Sequence, residues 1–299
     1  MIISEGKTKR ILTGPQEHTV LLETYDVLTG GDAAKKARIE GIGTDKTSQA
    51  ANVFSLLKAH GIPTAFIKQY SSNQLLCWEC DMIPLEIVIR RYAWGSYLFR
   101  NPEYKRANEP PYRFSEPLCE FFHKWSVATP PLSEKAYQLP EEEARDKFLQ
   151  GGVWAQGIYT DPYIFIEKNR WKLFPQKENL AQASYLMSVP ALFDKDEINM
   201  IIKDIALPAF KVLEQAWKKV TTVYGAVELI DLKIELGKNK SDDTLVIADV
   251  IDNDSWRIWP GGDPGKQLDK QCFRDDDPLA TVMENYNLVT ELTQQFVNN

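Results

Sequence analysis

Residues 227–236 read VELIDLKIEL, and the alternation in that stretch decides how this part of the chain folds. Successive side chains of a β-strand point to opposite faces. One face here carries Ile230, Leu232, Ile234 and Leu236 and is a core face. The other carries Asp231, Lys233 and Glu235. With about a quarter of residues charged, three charges in succession on one face arise by chance in only roughly 2% of such windows. The face is either a solvated sheet surface or a built site, and this stretch alone leaves both readings open. The next strand, TLVIADV at 244–250, brings Asp249 near the acidic face if the two strands pair as a hairpin. Adjacent carboxylates repel unless a cation lies between them. Hard oxygen ligands favour Mg²⁺, which takes one or two carboxylates and completes its shell with phosphate oxygens.

Outward from this pair, the chain reads as strands first and helices later. Strands are predicted at 8–12 and 19–24 around a turn with Gly14 and Pro15, and at 63–70, 75–79 and 85–92. Thr44-Asp45 can cap a helix running to His60 with Ala50, Val53, Phe54 and Leu57 as its buried stripe, and Gly61 stops it. Residues 101–185 read as long connections with short helices. Asp194 or Asp196 can cap a helix over 197–219, which Pro208 should kink or split. A last helix is expected at 279–296, capped by the run Asp275–Asp277. Strands and helices in separate blocks define an α+β protein rather than βαβ alternation.

Composition excludes several classes. The chain has 299 residues, 43% apolar, with a net charge of −7. That length buries a large core without disulfide or metal staples. The negative balance argues against sequence-independent nucleic-acid binding. No apolar run is long enough for a membrane span. The opening MIISEGKTKR has no apolar leader core, and four cysteines make no disulfide framework, so the cytoplasm is the expected location. Cys77 and Cys80 have a CxxC spacing with no second pair, and His18, His60 and His123 show no ligand pattern, so buried structural thiols are expected. Small anions need only a local basic pocket, for which KKARIEG (35–41) and Arg90-Arg91 are candidates.

Three further clusters could carry chemistry. EGKTK at 5–9 places Gly6, Lys7 and Lys9 in a turn that could meet phosphates, although it lacks P-loop spacing and by itself reads more readily as an ordinary surface turn. DMIPLEIVIRRYAWGS at 81–96 aligns Glu86, Val88 and Arg90 on one face ahead of Gly95-Ser96. It is either a charged edge strand or an anion site built from Arg90 and Ser96. DVIDNDSWRIWPGGD at 249–263 reads as an Asx-rich turn. Alternatively it presents Arg257 as an anion clamp, because guanidinium matches phosphate bidentately.

Together, EGKTKRIL, HGIPTAF, DMIPLEIVIRRYAWGS, VELIDLKIELG and ADVIDNDSWRIWPGGDPGKQLDKQCFRD resemble, in order, the signature blocks of the phosphoribosylaminoimidazole-succinocarboxamide synthase (SAICAR synthetase) family. The blocks span 1–124 and 197–299. DVIDNDSWRIWPGGD is especially similar to the synthetase half of the animal bifunctional purine enzyme, whose carboxylase domain is not expected here. The resemblance implies an ATP-grasp-like α+β fold. An N-terminal antiparallel nucleotide-binding sheet is expected at 1–80, and a larger substrate- and metal-binding part at 81–299 with an insertion near 125–185. It implies that ATP, carboxyaminoimidazole ribonucleotide (CAIR) and L-aspartate give ADP, phosphate and SAICAR, with ATP and Mg²⁺ required. It also implies small-molecule partners only, no nucleic acid or membrane, and leaves a homo-oligomer open.

Carried onto this chain, Gly6, Lys7 and Lys9 resemble the loop over the ATP phosphates, and Asp81 and Met82 the hinge at adenine. Glu235 and Asp249 resemble the Mg²⁺ carboxylates. Arg90, Ser96 and Arg257 resemble the ribonucleotide phosphate site. Glu86, Asp231 and Lys233 resemble the lining of the CAIR and reaction region, and Lys124 the lysine of the FxK block. The family continues from that lysine as K-x-D and soon reaches D-P. Here Trp125, Ser126 and Pro130-Pro131 follow, and Asp161-Pro162 comes later, as an insertion of about 30 residues would produce. Val250 stands where an acidic residue often follows the metal-binding aspartate, as in the animal-like version. The alternatives are another ATP-dependent ligase or kinase of this fold, or a non-catalytic nucleotide-binding homologue.

Overall fold

The computed structural model describes residues 1–30, 35–124, 126–127 and 159–297. They form two compact units. The first comprises residues 1–83 and 207–299, the second 84–206. The sequence reading assigned everything after residue 80 to one part. In the structure the C-terminal third groups instead with the N-terminal sheet. The reason is packing: helix Ile42–Ala59 lies along helix Leu279–Gln294, and helix Leu207–Lys219 covers the long strand Gly225–Asn239. The amide of Ala65 also donates to Ile247 O (2.8 Å), and that of Ile247 to Pro63 O (2.9 Å).

The first unit opens with a five-stranded antiparallel sheet. Its order is Ile2–Glu5, Lys9–Thr13, Thr19–Thr24, Gln74–Trp78, Phe66–Ser71. The stripe Ala50, Val53, Phe54 and Leu57 is buried as its helical spacing requires. The helix starts earlier than the predicted cap. Gly41, at φ +85°, turns the chain in, and no side chain caps it. Asp26 instead accepts from the Gly43 amide at 3.0 Å. The last helix, likewise, begins after Pro278 with no side-chain cap. Two of the three aspartates expected to cap it are used elsewhere: Asp275 accepts from Gln271 Nε2 (2.8 Å) and Asp276 pairs with Lys35. Cys77 is buried and Cys80 partly so, and burial pushes their thiols up to about 12 and about 11. They are protonated structural thiols at neutral pH. Among the described residues, no helix is long and apolar enough to cross a membrane.

In the second unit, Arg113–His123 pairs with the strand ending at Tyr92, and the sheet continues through Tyr163–Glu167, Arg170–Phe174 and Met187–Pro190. These strands replace the long connections predicted over 101–185. Phe121 and Phe122 are both buried, so this strand has no polar face to betray its period. In this sheet Trp171 is fully buried and Phe165 is half exposed, and Trp154 lies outside the described residues. Trp125 and most of the predicted insertion also lie outside them. Asp194 forms a capping box with Glu197 at helix Lys195–Met200. The predicted break at Pro208 is present: a π-helical turn, Ile201–Ala206, precedes the helix that carries the proline.

Candidate active site

The charged face of 227–236 is buried at Asp231 and Glu235 and partly exposed at Lys233. Gly225–Asn239 pairs antiparallel with Leu245–Ala248 on one part of its length and Trp256–Pro260 on another. These strands flank it within the sheet, helix Leu207–Lys219 packs on it, and Asp231 and Glu235 are only 4% and 5% exposed. Ions in such surroundings need partners. Asp231 sits directly opposite Arg257 in the register and pairs with it. Lys233 Nζ lies 3.7 Å from Glu235 Oε1. Glu235 is opposite Ala248, so Asp249 is the first residue beyond the hairpin ladder. Asp249 adopts φ +60°, which turns the chain out of the strand, and its carboxylate pairs with Lys9. The predicted hairpin thus forms, and it brings Lys9, Asp249, Glu235 and Lys233 into one region of the first unit.

The other predicted residues of this unit are at its surface. Lys7 is exposed in the turn closed by the Gly6 amide donating to Lys9 O (2.8 Å). Nothing in the geometry demands glycine at position 6. The requirement falls on Gly237, which ends the motif: a Cβ there would lie 2.8 Å from Cys80 Cβ and 3.3 Å from Met82 Sδ. Gly237 therefore lets the segment with Asp81 and Met82 approach closely. Both of these are exposed, and Asp81 lies 3.4 Å from Lys240 Nζ.

In the second unit Arg90 and Ser96 come together, with Nη2 donating to Oγ at 3.2 Å. Sequence reasoning missed what holds them. Arg90 is 2% exposed and donates through Nε to Glu120, and Arg100, 1% exposed, donates to both Glu120 oxygens at 2.7 and 2.8 Å. Arg100 also stacks over Phe122 and Tyr163. A single charge inside the apolar run Leu118–Phe122 was the available signal. Glu86 is half-buried opposite Phe122, and Lys124 is exposed with its amide on Pro84 O (3.0 Å). Arg91, the other half of the basic pair, turns away to the carbonyls of Phe114 and Ser115. KKARIEG makes no joint basic pocket: Lys35 is taken up by Phe273 O and Asp276, and Lys36 and Arg38 are exposed.

The Asx-rich run hides a second network. Asp252 and Asn253 are buried, and Lys46 reaches Asp254 Oδ2 at 2.7 Å. Among the described residues, no group of three or more histidines, cysteines or carboxylates is arranged to enclose a metal. Glu235 and Asp249 offer two hard oxygen donors, which fits Mg²⁺ completed by phosphate oxygens rather than an all-protein cage.

The fold is α+β, and its first unit holds an antiparallel strand pair with a buried glutamate, an adjoining aspartate and a lysine from the first sheet paired with that aspartate. The family model for SAICAR synthetase matches residues 2–145 and 178–292, leaving the middle of the predicted insertion unmatched. A phosphoribosylaminoimidazole-succinocarboxamide synthase of Chloroflexus aggregans is 37% identical over 298 residues, 98% of this chain and 95% of that one. The multifunctional protein ADE2 of Gallus gallus is 32% identical over 97% of this chain and 57% of its own length. A solved SAICAR synthetase in complex with ADP aligns with a TM-score of 0.64 at 25% identity, covering 100% of this chain and 98% of that one. The chain belongs to the SAICAR synthetase family.

Proposed function

We propose that this chain is the ATP-dependent ligase that joins CAIR to L-aspartate, giving SAICAR, ADP and phosphate in purine biosynthesis. Family membership over nearly the whole chain supports the reaction. The observation that supports the site assignment is the hairpin, in which Glu235 is opposite Ala248 and Asp249 follows directly, paired with Lys9. Four free cysteines, two of them buried, suit a reducing cytoplasm.

A carboxylate is a poor electrophile, because amine attack would have to expel oxide. In the proposed sequence a CAIR carboxylate oxygen attacks the γ-phosphorus of ATP and the bond to ADP breaks. The aspartate nitrogen then bonds to the acyl carbon and loses a proton, and the C–O bond to phosphate breaks. Mg²⁺, when bound, neutralises and orients the nucleotide phosphates. Glu235 and Asp249 are the residues that would hold it. Lys9 exchanges Asp249 for a phosphate oxygen, and the exposed Lys7 adds charge over the moving group. Lys124, exposed in the second unit, carries the resemblance to the family's FxK lysine. Gly6 leaves the turn's backbone open to the phosphates, and Asp81 and Met82 meet the adenine edge. In the first unit the family resemblance assigns Arg257 to the ribose phosphate and Asp231 and Lys233 to the imidazole and the reacting carboxylate. In the second it assigns Arg90 and Ser96 to phosphate recognition and Glu86 to substrate lining, with Glu120 fixing the orientation of Arg90.

The test uses CAIR labelled with ¹⁸O in its carboxylate, with ATP, Mg²⁺ and aspartate. Mass spectrometry should find SAICAR and one labelled oxygen per phosphate released. Absence of SAICAR overturns the ligase reading. SAICAR with unlabelled phosphate overturns the acyl phosphate.

A further inference from the structure

The segment joining Asp249 to Arg257 is itself buried, which is unusual for a connection because internal backbone groups need partners. Asp252, Asn253 and Ser255 are 2%, 0% and 6% exposed. Partners come first from within the turn, where the Asp254 amide donates to Asp252 Oδ1 and the Ser255 amide to Asp252 O, each at 2.8 Å. Others come from outside. The Asn253 amide donates to Gln49 Oε1 (3.0 Å), Asn253 Nδ2 to Leu268 O (2.8 Å), and the Trp256 indole to Asn253 Oδ1 (2.9 Å).

Two carboxylates in this segment, Asp252 and Asp254, would repel each other. Lys46, 4% exposed on helix Ile42–Ala59, lies 2.7 Å from Asp254 Oδ2 and 3.8 Å from Asp252 Oδ2. Lys270 lies 3.0 Å from Asp254 Oδ2, and the Tyr286 hydroxyl donates to its Oδ1. The network is in electrostatic reach of the hairpin cluster: Lys9 favours the ionised form of Asp252, and Lys233 opposes the charge on Lys46.

We infer that Lys46 is a positioning residue: by holding Asp252 and Asp254 together it fixes the segment that begins at Asp249, and so sets where that carboxylate meets the metal. The inference rests on the proposed reading of Asp249 as a Mg²⁺ ligand. A purely structural lysine would affect stability yet leave metal binding by the folded protein unchanged. The test is a Mn²⁺ titration by electron paramagnetic resonance, with ADP present, on the full chain and its variants. Lys46→Met, with an unchanged circular dichroism spectrum, should bind Mn²⁺ about tenfold more weakly or worse. Lys46→Arg keeps the charge and should stay close to the parent. Lys270→Met removes the other cation on Asp254 and should shift affinity in the same direction by less, and it decides the matter if Lys46→Met does not fold. Parent-like Mn²⁺ affinity in whichever of these two variants folds overturns the inference while the parent's own binding leaves the metal reading intact. A parent that binds no Mn²⁺ with ADP overturns both.

Discussion

The two charged clusters differ in how far they are closed to solvent. In the second unit, Arg90, Glu120 and Arg100 are 2%, 5% and 1% exposed, and aromatic rings cover Arg100. In the first, the side chains of Lys9, Asp249 and Lys233 are 27%, 20% and 37% exposed. A closed ion network costs too much desolvation to be opened in each turnover. A half-open pair can exchange its partner for a ligand at little cost. The comparison assigns fixed geometry to the arginine cluster and exchangeable partners to the lysine–carboxylate cluster. It teaches that two groups of charges with similar sequence signatures have different duties, and that burial tells them apart.

The comparison breaks most visibly at Glu120. Glu120→Gln leaves two guanidinium groups buried beside a neutral amide. The expected loss is roughly 3–5 kcal/mol of stability, read as a lower urea midpoint. An unchanged midpoint would mean the cluster is not closed. Asp249→Asn tests the other side: the fold should survive, since Asp249 is partly exposed, while kcat falls roughly 100-fold or more. Near-native turnover would remove Asp249 from the metal site.

Acid should separate the units next. Burial pushes His123, in the second unit, down to about 4. Its depressed value means stability is present above the ordinary histidine pKa and lost as pH falls from about 6.5 toward 4, by roughly 3 kcal/mol. Burial pushes Asp269, in the first unit, up to about 6, which has the opposite sign: its protonated form suits the fold, so stability falls as pH rises through that value. His123→Gln should flatten the acid loss in a pH series of thermal midpoints, and Asp269→Asn should steepen it. The smallest effect is expected at Arg257, whose partner Asp231 stays behind. Arg257→Ala should raise the KM for CAIR about tenfold with a smaller change in kcat. A fall in kcat with unchanged KM would place Arg257 at the reacting centre instead.

Local periodicity made part of this legible. The 227–236 alternation, the Ala50–Leu57 stripe and the Asp194 cap depend on neighbours within a turn or a strand. The strands of the second unit were hidden because Arg113–His123 buries adjacent residues such as Phe121 and Phe122, so no alternation marks it. The charge partners were hidden by distance along the chain. Glu120 lies 30 positions from Arg90, and Asp254 lies 208 from Lys46. An Asx-rich run announces a turn, but nothing in it announces the buried lysine that neutralises it. Arg90 and Arg91 look equivalent in sequence, and only the strand's two faces distinguish the one paired with Glu120 and Ser96 from the one bound to the carbonyls of Phe114 and Ser115.

The most direct test of the central claim is a coupled ADP-release assay with ATP, Mg²⁺, CAIR and aspartate, each omitted in turn. The account expects ADP release only when all four are present, with SAICAR accumulating in step. ADP release that persists without CAIR or without aspartate, or no release with the complete mixture, would contradict it.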